Sequence, residues 1–344
     1  MQRYCCCGNR ACAFRHMRMG LGLAKMRMFQ ASALALSLFV SGSAFSQQQS
    51  FSTAEAAKNG WAMEQNRSAS WYLSQHKRLA TAIANLQPQK PGVVDAYVIS
   101  IGLDSDAVFG RESAEAAKVL ARRYGATGKT LFLTAGADDA PTGAPQGSPS
   151  NLAVALAAVA GKMDLKEDVL ILFATTHGDP VSGLAYRDGN DGVGMIAPQR
   201  LSALLDDVGI KRRMVLISAC YSGIFIPLLT NDQTVIVTAA SSQRTSFGCA
   251  PGNDWTFFGD ALVNNGLRKP QKFDDAVAEA VQLISRWENM LELVPSRPQV
   301  FVGENAHVWL DALETKMPKT ETPKMGRPAI ATDYERASEA NPAR

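Results

Sequence analysis

Two short apolar runs, each ending in a reactive side chain, most constrain how this 344-residue chain can fold. The first run, DVLILFATTHGDP, covers Asp168–Pro180 and carries His177; the second, KRRMVLISACYSG, covers Lys211–Gly223 and carries Cys220. Neither run has a polar face, which is typical of strands buried on both sides in a parallel sheet. Because the carboxyl ends of neighbouring parallel strands share one crevice, we expect His177 and Cys220 to lie side by side there.

The pattern around these runs predicts the fold class. Short runs rich in β-branched residues alternate with segments of helical periodicity, as in domains built from right-handed strand–helix–strand units. We therefore predict an α/β fold with a mostly parallel six-stranded sheet and helices on both faces. The other predicted strands are Val93–Ile101, Thr130–Thr134, Thr234–Ala239 and Gln299–Val302. The predicted helices are Arg111–Tyr124, one starting at Ser148-Pro149, Gln199–Val208, Trp255–Val263 and Phe273–Leu291.

The segments outside these elements differ in character. Residues 47–90 form a predicted N-terminal helical segment, because apolar residues recur at helical spacing between Phe51 and Leu86. Residues 91–312 form one predicted folded domain. Within it, Gly136–Gly147 is predicted to be an exposed loop and Gly178–Gly194 a solvated hairpin. Residues 313–344 lack apolar periodicity and are predicted to be disordered.

The N-terminus has the pattern of a secretory signal peptide, which we place at residues 1–46. A basic region precedes the apolar stretch Phe29–Val40, and the small-residue run SGSAFSQ follows it. Cleavage after Ala44 or Ser46 fits this pattern. The apolar core is shorter than the ~20 residues of a membrane span, so we expect no stable span, with an uncleaved anchor as the alternative. The predicted location is therefore periplasmic or secreted.

The charge distribution argues against nucleic acid as a partner. The net charge is +3, but the first 27 residues hold six basic residues and no acids, which leaves 3 − 6 = −3 for the remainder. A mildly acidic body offers no basic patch for a phosphate backbone. The pattern predicts no cofactor and no metal site, and it does not indicate an oligomeric state.

Cysteine usage isolates Cys220 as a candidate nucleophile. Four of the six cysteines lie in the first 12 residues, which leaves Cys220 and Cys249. In an oxidising compartment these two could form a disulfide, and this alternative stays open. If Cys220 is the nucleophile, we expect Cys249 to be a buried free thiol.

A paired cysteine and histidine can cleave an acyl bond. A cysteine attacks as the thiolate, so it needs a nearby base or cation to lower its pKa, and His177 can serve as that base. The tetrahedral oxyanion needs N–H donors, which the amides of Gly178 and Cys220 could supply. The competing interpretation is that His177 is a satisfied strand-end histidine and Cys220 a small buried apolar residue.

These motifs together resemble a known family. Apolar strand–His-Gly, apolar strand–Ala-Cys, AASSQRTSFGC (Ala239–Cys249) and WTFFGDAL (Trp255–Leu262) occur in the order found in the legumain and GPI-transamidase family of caspase-like cysteine peptidases. The resemblance covers roughly Val93 to Val302. It implies a caspase-like three-layer sandwich. It also implies endopeptidase activity through a thioester acyl-enzyme, with asparagine or aspartate before the cut.

The resemblance also implies roles for individual residues. Cys220 matches the nucleophile, His177 the catalytic histidine and Gly178 the oxyanion glycine. The pocket for the side chain before the cut is implied at four positions. They are the basic Arg111, the acidic Asp260, Ser246 on the pocket wall and Ser218.

The chain also departs from the family pattern. Legumain has Glu-Ala-Cys and Asp-His-Gly, where this chain has Ser218-Ala219-Cys220 and Thr176-His177-Gly178, so one pocket acid is missing. The asparagine that orients the histidine in legumain has no match, because Phe109 and Gly110 occupy that neighbourhood. A backbone carbonyl holding the imidazole and an unsupported dyad both remain open.

Three functions are therefore compatible with the sequence. The first is a cysteine endopeptidase acting on a peptide or protein. The second is a transpeptidase or transamidase, because an amine can resolve an acyl-enzyme as well as water. The third is a catalytically weak peptide-binding protein on the same fold.

Overall fold

The computed structural model describes residues 59–136 and 143–331. The predicted signal peptide, half of the loop Gly136–Gly147 and the end of the predicted tail lie outside these residues. The described strands are β1 Trp61–Glu64, β2 Ala96–Gly102, β3 Thr130–Thr134, β4 Val169–Thr175, β5 Gly178–Asp179, β6 Gly183–Asp188, β7 Gly192–Ile196, β8 Arg213–Ser218, β9 Thr234–Thr238 and β10 Gln299–Val302. The α-helices are α1 Ala69–Ala84, α2 Ala107–Arg123, α3 Pro149–Ala160, α4 Pro198–Asp207, α5 Ile226–Leu229, α6 Phe273–Met290 and α7 Ala306–Glu314.

The main sheet has the strand order β10-β9-β8-β4-β2-β3. Its first five strands in chain order run parallel, and β10 pairs antiparallel with β9 at one edge. This arrangement places β2, β4 and β8 side by side, so their carboxyl ends meet. The predicted α/β class and the six-stranded, mostly parallel sheet are confirmed.

The alternation of residues in β4 explains why the sheet is covered on both faces. Successive side chains of a strand point to opposite faces, and each residue of β4 is buried. Val169, Ile171 and Phe173 pack in one core cluster with residues of α2, α6 and α7. Leu170, Leu172 and Ala174 pack in the other cluster with residues of α1, α3 and α4. Each large apolar side chain buried in this way contributes about 1.5–3 kcal/mol, so helices on both faces stabilise the fold.

A second sheet corrects two sequence predictions. Its order is β1-β7-β6-β5. β1 lies in the segment predicted to be helical and is a strand instead, because its backbone pairs with β7 from Trp61↔Met195 to Glu64↔Gly192. β6 and β7 form the predicted hairpin, but Leu184 and Tyr186 within it are buried rather than solvated.

The C-terminal segment is docked rather than disordered as far as the structure describes it. The carbonyl of Met325 accepts hydrogen bonds from Trp255 Nε1 at 2.7 Å and Asn264 Nδ2 at 3.1 Å. Ala329 is buried, and its N–H donates to Asp260 at 2.8 Å. The prediction of disorder is therefore wrong for residues 313–331, because backbone hydrogen bonds to side chains hold this segment without any apolar periodicity.

The region after Cys249 contains a second difference. The predicted helix Trp255–Val263 is replaced by a π-helix over Gly259–Gly266. π-Helical segments occur often at functional sites.

In the described residues, no helix combines the length and apolarity required to cross a membrane.

Candidate active site

The ends of β4 and β8 bring the histidine and the cysteine to one edge of the main sheet. Thr175, the last residue of β4, is directly paired with Ser218, the last residue of β8. His177 and Cys220 each follow two residues later. A Cβ built on Gly178 would lie 1.9 Å from the carbonyl oxygen of Cys220. The two backbones therefore touch at this point, and only glycine fits between them.

The Cys220 thiol is buried against Ser246. Its Sγ accepts a hydrogen bond from the Ser246 N–H at 3.3 Å and lies 3.6 Å from the Ser246 hydroxyl. Burial raises the pKa of the Cys220 thiol, while the hydrogen bonds from Ser246 oppose that shift. The direction is opposite to the lowering expected from the sequence, because burial outweighs the surrounding donors. To attack as a thiolate, the Cys220 thiol would therefore need a general base.

The structure decides the alternative that the sequence left open for these two cysteines. Cys220 is a free thiol, so it does not pair with Cys249. Cys249 is buried, as expected. The candidate nucleophile is therefore not blocked by a disulfide.

A sharp turn follows the nucleophile. Tyr221 has φ of 56°, and a short 3₁₀-helix starts at Ser222. Left-handed backbone is strained for a residue with a bulky side chain and is concentrated at functional sites. The Tyr221 N–H donates to the Arg244 carbonyl at 2.8 Å, which helps to hold the turn. Cys220 thus sits at the tip of a strand–turn–helix elbow.

Asp106 lies where it could orient the candidate catalytic histidine. One Asp106 carboxylate oxygen lies 3.4 Å from His177 Nε2, and the Phe109 ring packs edge-on at 4.9 Å between ring centroids. The hydrogen bond to His177, helped by Arg187, holds the pKa of Asp106 below its usual range despite its burial. The motifs in the sequence do not indicate Asp106. They leave open a backbone carbonyl or an unsupported dyad, and the structure has a carboxylate instead.

The position of Asp106 in its helix supports this role. It is the N-cap residue of α2, yet its side chain makes no capping hydrogen bond. An aspartate at this position normally caps the helix and contributes ~1 kcal/mol. Here the carboxylate is turned to His177 and Arg187 instead.

Arg187 of β6 fixes the Asp106 carboxylate. Its guanidinium forms two hydrogen bonds with buried Asp104, at 2.9 and 2.7 Å, and an ion pair with Asp106 at 2.5 Å. Asp104, Asp106 and His177 each offer an atom within 4.8 Å of the others, as in a metal site. Because the Arg187 guanidinium already pairs with both carboxylates, we assign this cluster to positioning of the histidine.

The residues predicted for the substrate pocket differ in their contacts. Ser246 lies beside the Cys220 thiol. Ser218 is buried, and its hydroxyl is 2.9 Å from that of Thr256. Arg111 is partly exposed and pairs with Asp254 at 3.3 Å, and its guanidinium also binds backbone carbonyls of the same loop.

The pocket role predicted for Asp260 is not supported by the structure. Its carboxylate is 1% exposed and accepts hydrogen bonds from Ala329 N–H, Asn264 Nδ2 and Asn265 Nδ2. The sequence predicts that Asp260 lies on the helix Trp255–Val263 and faces the pocket. The π-helix instead turns it toward the docked C-terminal segment.

We therefore expect Asp260→Ala to destabilise the fold without changing substrate preference. Removing the carboxylate leaves buried donors without an acceptor, which should lower the free energy of unfolding by about 2–3 kcal/mol. Chemical denaturation measures the stability, and the ratio of kcat/KM values on two peptides measures the preference. A changed ratio at unchanged stability would return Asp260 to the pocket.

Comparison with known proteins identifies the kind of enzyme. The Peptidase C13 family model matches residues 153–290, a span that contains both His177 and Cys220. The chain is similar to this family over that span, and the protein is a cysteine peptidase. Its substrates are therefore peptides or proteins.

Solved structures and curated protein sequences were also compared with this chain. A crystal structure of caspase-1 from Spodoptera frugiperda is similar at 13% identity and a TM-score of 0.40, over 60% of this chain and 85% of that chain. No curated protein sequence matches the peptidase.

Proposed function

We propose that the peptidase is an endopeptidase in which His177 activates Cys220 and Asp106 orients His177. The observation that carries the proposal is the meeting of three neighbouring strand ends. β2 leads to Asp106, β4 to His177 and β8 to Cys220, and the carboxylate lies 3.4 Å from the imidazole.

The proposed reaction begins with proton transfer. His177 takes the proton of the neutral Cys220 thiol, and the thiolate sulfur attacks the substrate carbonyl carbon. The oxyanion of the tetrahedral intermediate is stabilised by backbone N–H groups at the contact between Gly178 and Cys220. The C–N bond then breaks as His177 gives its proton to the leaving amine, and a thioester remains. His177 next takes a proton from water, whose oxygen attacks the thioester. The peptide acid leaves, and the thiol regains its proton.

Asp106 contributes by holding the imidazole. Its carboxylate faces Nε2, so it favours the tautomer that carries a proton there and leaves Nδ1 to receive the thiol proton. The negative charge also stabilises the imidazolium that forms after proton transfer. Arg187 and Asp104 keep this carboxylate in place.

A panel of internally quenched peptides that vary the residue before the cut tests the proposal. We expect the wild-type protein to cleave at least one peptide and Cys220→Ala to cleave none. Adding an amine-bearing peptide distinguishes the transpeptidase, because that enzyme would form a ligated product. Binding without Cys220-dependent turnover would favour the peptide-binding alternative.

For the residue before the cut, we infer asparagine or aspartate recognition by the pair Arg111 and Asp254. A guanidinium can donate to the carbonyl of an asparagine amide, and a carboxylate can accept from its NH₂ group. The two side chains are 41% and 33% exposed. The buried Asp260 is not available for this contact.

Asp254→Asn is therefore expected to shift preference from asparagine toward aspartate. The charge that repels a substrate carboxylate is removed, and the exposed pair is worth ~1 kcal/mol, so the ratio of kcat/KM values should change by about 5-fold. Asp260→Asn is the matched control. It makes the same substitution at an aspartate that is buried against the docked C-terminal segment, so it should leave the ratio unchanged. Equal ratios in wild type and Asp254→Asn would remove Asp254 from the pocket.

The predicted export signal lies outside the described residues. We propose that the peptidase is exported and cleaved after Ala44 or Ser46. N-terminal sequencing of the protein recovered from the producing cell tests this proposal. A first residue of Phe45 or Gln47 supports cleavage. A recovered protein that still contains the apolar stretch from Phe29 contradicts it.

A further inference from the structure

Glu112 is a buried carboxyl group for which the proposed reaction has no use. It lies in α2 and is fully buried, one residue after the partly exposed Arg111. Burial of an acid without a charged partner is unfavourable, so such a group is kept only where its hydrogen bonds are satisfied. Its surroundings therefore indicate what it does.

Its hydrogen bonds join segments that meet at the active site. Glu112 Oε1 accepts from the Thr175 hydroxyl at 2.9 Å, and Oε2 accepts from the Thr256 N–H at 2.7 Å. The Thr256 hydroxyl in turn lies 2.9 Å from the Ser218 hydroxyl. One carboxyl thus contacts the last residue of β4 and the segment leading to the π-helix, and through Thr256 it is linked to the last residue of β8.

The packing around this carboxyl group leaves little freedom. A Cβ on Gly259 would lie 2.2 Å from Glu112 Oε2, so the π-helix approaches as closely as its backbone allows. The Thr256 hydroxyl lies 2.9 Å from that of Ser218 and accepts from the Gly259 N–H at 3.0 Å. The Glu112 carboxyl group is therefore enclosed by the π-helix and by the segment that precedes it.

We propose that Glu112 is a positioning residue that fixes His177 relative to Cys220. It is linked to Thr175 directly and to Ser218 through Thr256. Thr175 and Ser218 are paired directly across β4 and β8 and lie two residues before the histidine and the cysteine. Since α2 also carries Asp106 at its start, the same helix fixes the group that orients the imidazole. This inference rests on the proposed endopeptidase reaction.

The hydrogen bonds, rather than a negative charge, are expected to carry this role. Burial raises the pKa of Glu112, and the hydrogen bonds from Thr256, Ser218 and Thr175 oppose this shift. Glutamine has nearly the same shape. Its carbonyl can accept the Thr256 N–H, and its NH₂ group can donate to the Thr175 hydroxyl.

The test compares Glu112→Ala and Glu112→Gln with the wild type on a cleaved peptide. Glu112→Ala is expected to lower kcat by about 10²-fold with little change in KM, because small misplacements of reacting groups have effects of this size. Glu112→Gln is expected to restore kcat to within about 3-fold of wild type, since it keeps the hydrogen bonds. A wild-type kcat in folded Glu112→Ala would overturn the proposal, and so would a Gln variant as poor as the Ala variant.

A matched control comes from the same helix. Glu115 lies one turn later and forms ion pairs with Lys118 at 2.6 Å and Arg268 at 3.1 Å. Glu115→Ala should leave kcat unchanged. A loss of kcat equal to that of Glu112→Ala would assign the effect to disruption of α2 and would overturn the proposal.

A second variant covers the case in which Glu112→Ala does not fold. Thr175→Val removes one hydroxyl donor and keeps the side-chain shape. It is expected to lower kcat by a smaller factor than Glu112→Ala does. A wild-type kcat in this variant would overturn the proposal.

Alkylation by iodoacetamide separates this inference from the endopeptidase proposal. The rate at Cys220, read by peptide mapping, should fall in His177→Ala because the imidazole takes the thiol proton. Glu112→Ala should show a similar fall, and Glu112→Gln should not. If no peptide is cleaved by the wild type, the endopeptidase proposal fails. The alkylation rates then still decide whether Glu112 positions the pair, and equal rates in wild type and Glu112→Ala would show that it does not.

Discussion

Cys220→Ala is expected to lower kcat/KM on every peptide that the wild type cleaves by at least about 10³-fold. The substitution removes the sulfur that forms the acyl-enzyme, and no neighbouring side chain can replace it. Ser246, whose N–H lies 3.3 Å from the sulfur, has a hydroxyl in the vicinity. That hydroxyl is not paired with a base, so it should not restore turnover. Initial rates on the best peptide of the panel give the measurement.

The control for this variant is Ser246→Ala. It removes a hydroxyl next to the sulfur but keeps the backbone N–H, so it should reduce kcat/KM by no more than about 10-fold. Thermal unfolding of both variants confirms that the fold is kept. Residual activity of folded Cys220→Ala above a few per cent would contradict the role of Cys220 as nucleophile.

Asp106→Ala is expected to lower kcat by about 10²-fold with a smaller change in KM. The variant leaves His177 free to rotate and removes the charge that stabilises the imidazolium. Asp106→Asn should lose less, about 10-fold, since an amide oxygen can still accept a hydrogen bond from Nε2–H but carries no charge. Steady-state kinetics on one peptide, with kcat and KM determined separately, distinguishes these effects from weaker substrate binding.

Asp179→Asn is the matched control for Asp106. Asp179 is also an acid close to His177 in sequence, but its carboxylate accepts from the N–H groups of Val181 and Ser182 in a turn. It should therefore leave kcat nearly unchanged. If Asp106→Ala retains the wild-type kcat, Asp106 does not orient the histidine.

The strand-end pair could be predicted because its signal is local. Buried strands read as uninterrupted apolar runs, and the two runs that carry His177 and Cys220 are adjacent in the observed sheet. Parallel strands deliver the residues after them to one crevice. The glycine at position 178 agrees with the expected close approach of the backbone, since the observed contact with the Cys220 backbone excludes any side chain there.

Asp106 could have been found by the same rule. It follows the strand β2, which lies next to β4 on the side away from β8. The resemblance to legumain points to the neighbourhood of Phe109 and Gly110 instead, and Phe109 does pack on the histidine ring. A carboxylate that follows a strand next to β4 is itself a sequence signal, and it lies only three residues before Phe109.

Other features had no local signal. β1 is a strand because of its pairing with β7, and pairing partners far apart in sequence cannot be inferred from apolar spacing. Glu112 has the appearance of an exposed helix charge, although three segments of the fold enclose it. Asp260 faces the C-terminal segment because of a π-helix, and no periodicity in the sequence indicates that the helix departs from α geometry.

The most direct test of the Cys220 and His177 assignment is covalent capture by a peptidyl acyloxymethyl ketone. The thiolate displaces the carboxylate leaving group and forms a stable thioether, so intact mass shows one adduct and peptide mapping gives its position. We expect a single adduct on Cys220 in the wild type, a much slower adduct in His177→Ala and none in Cys220→Ala. An adduct on another residue, or the same rate with and without His177, would contradict the proposed catalytic pair.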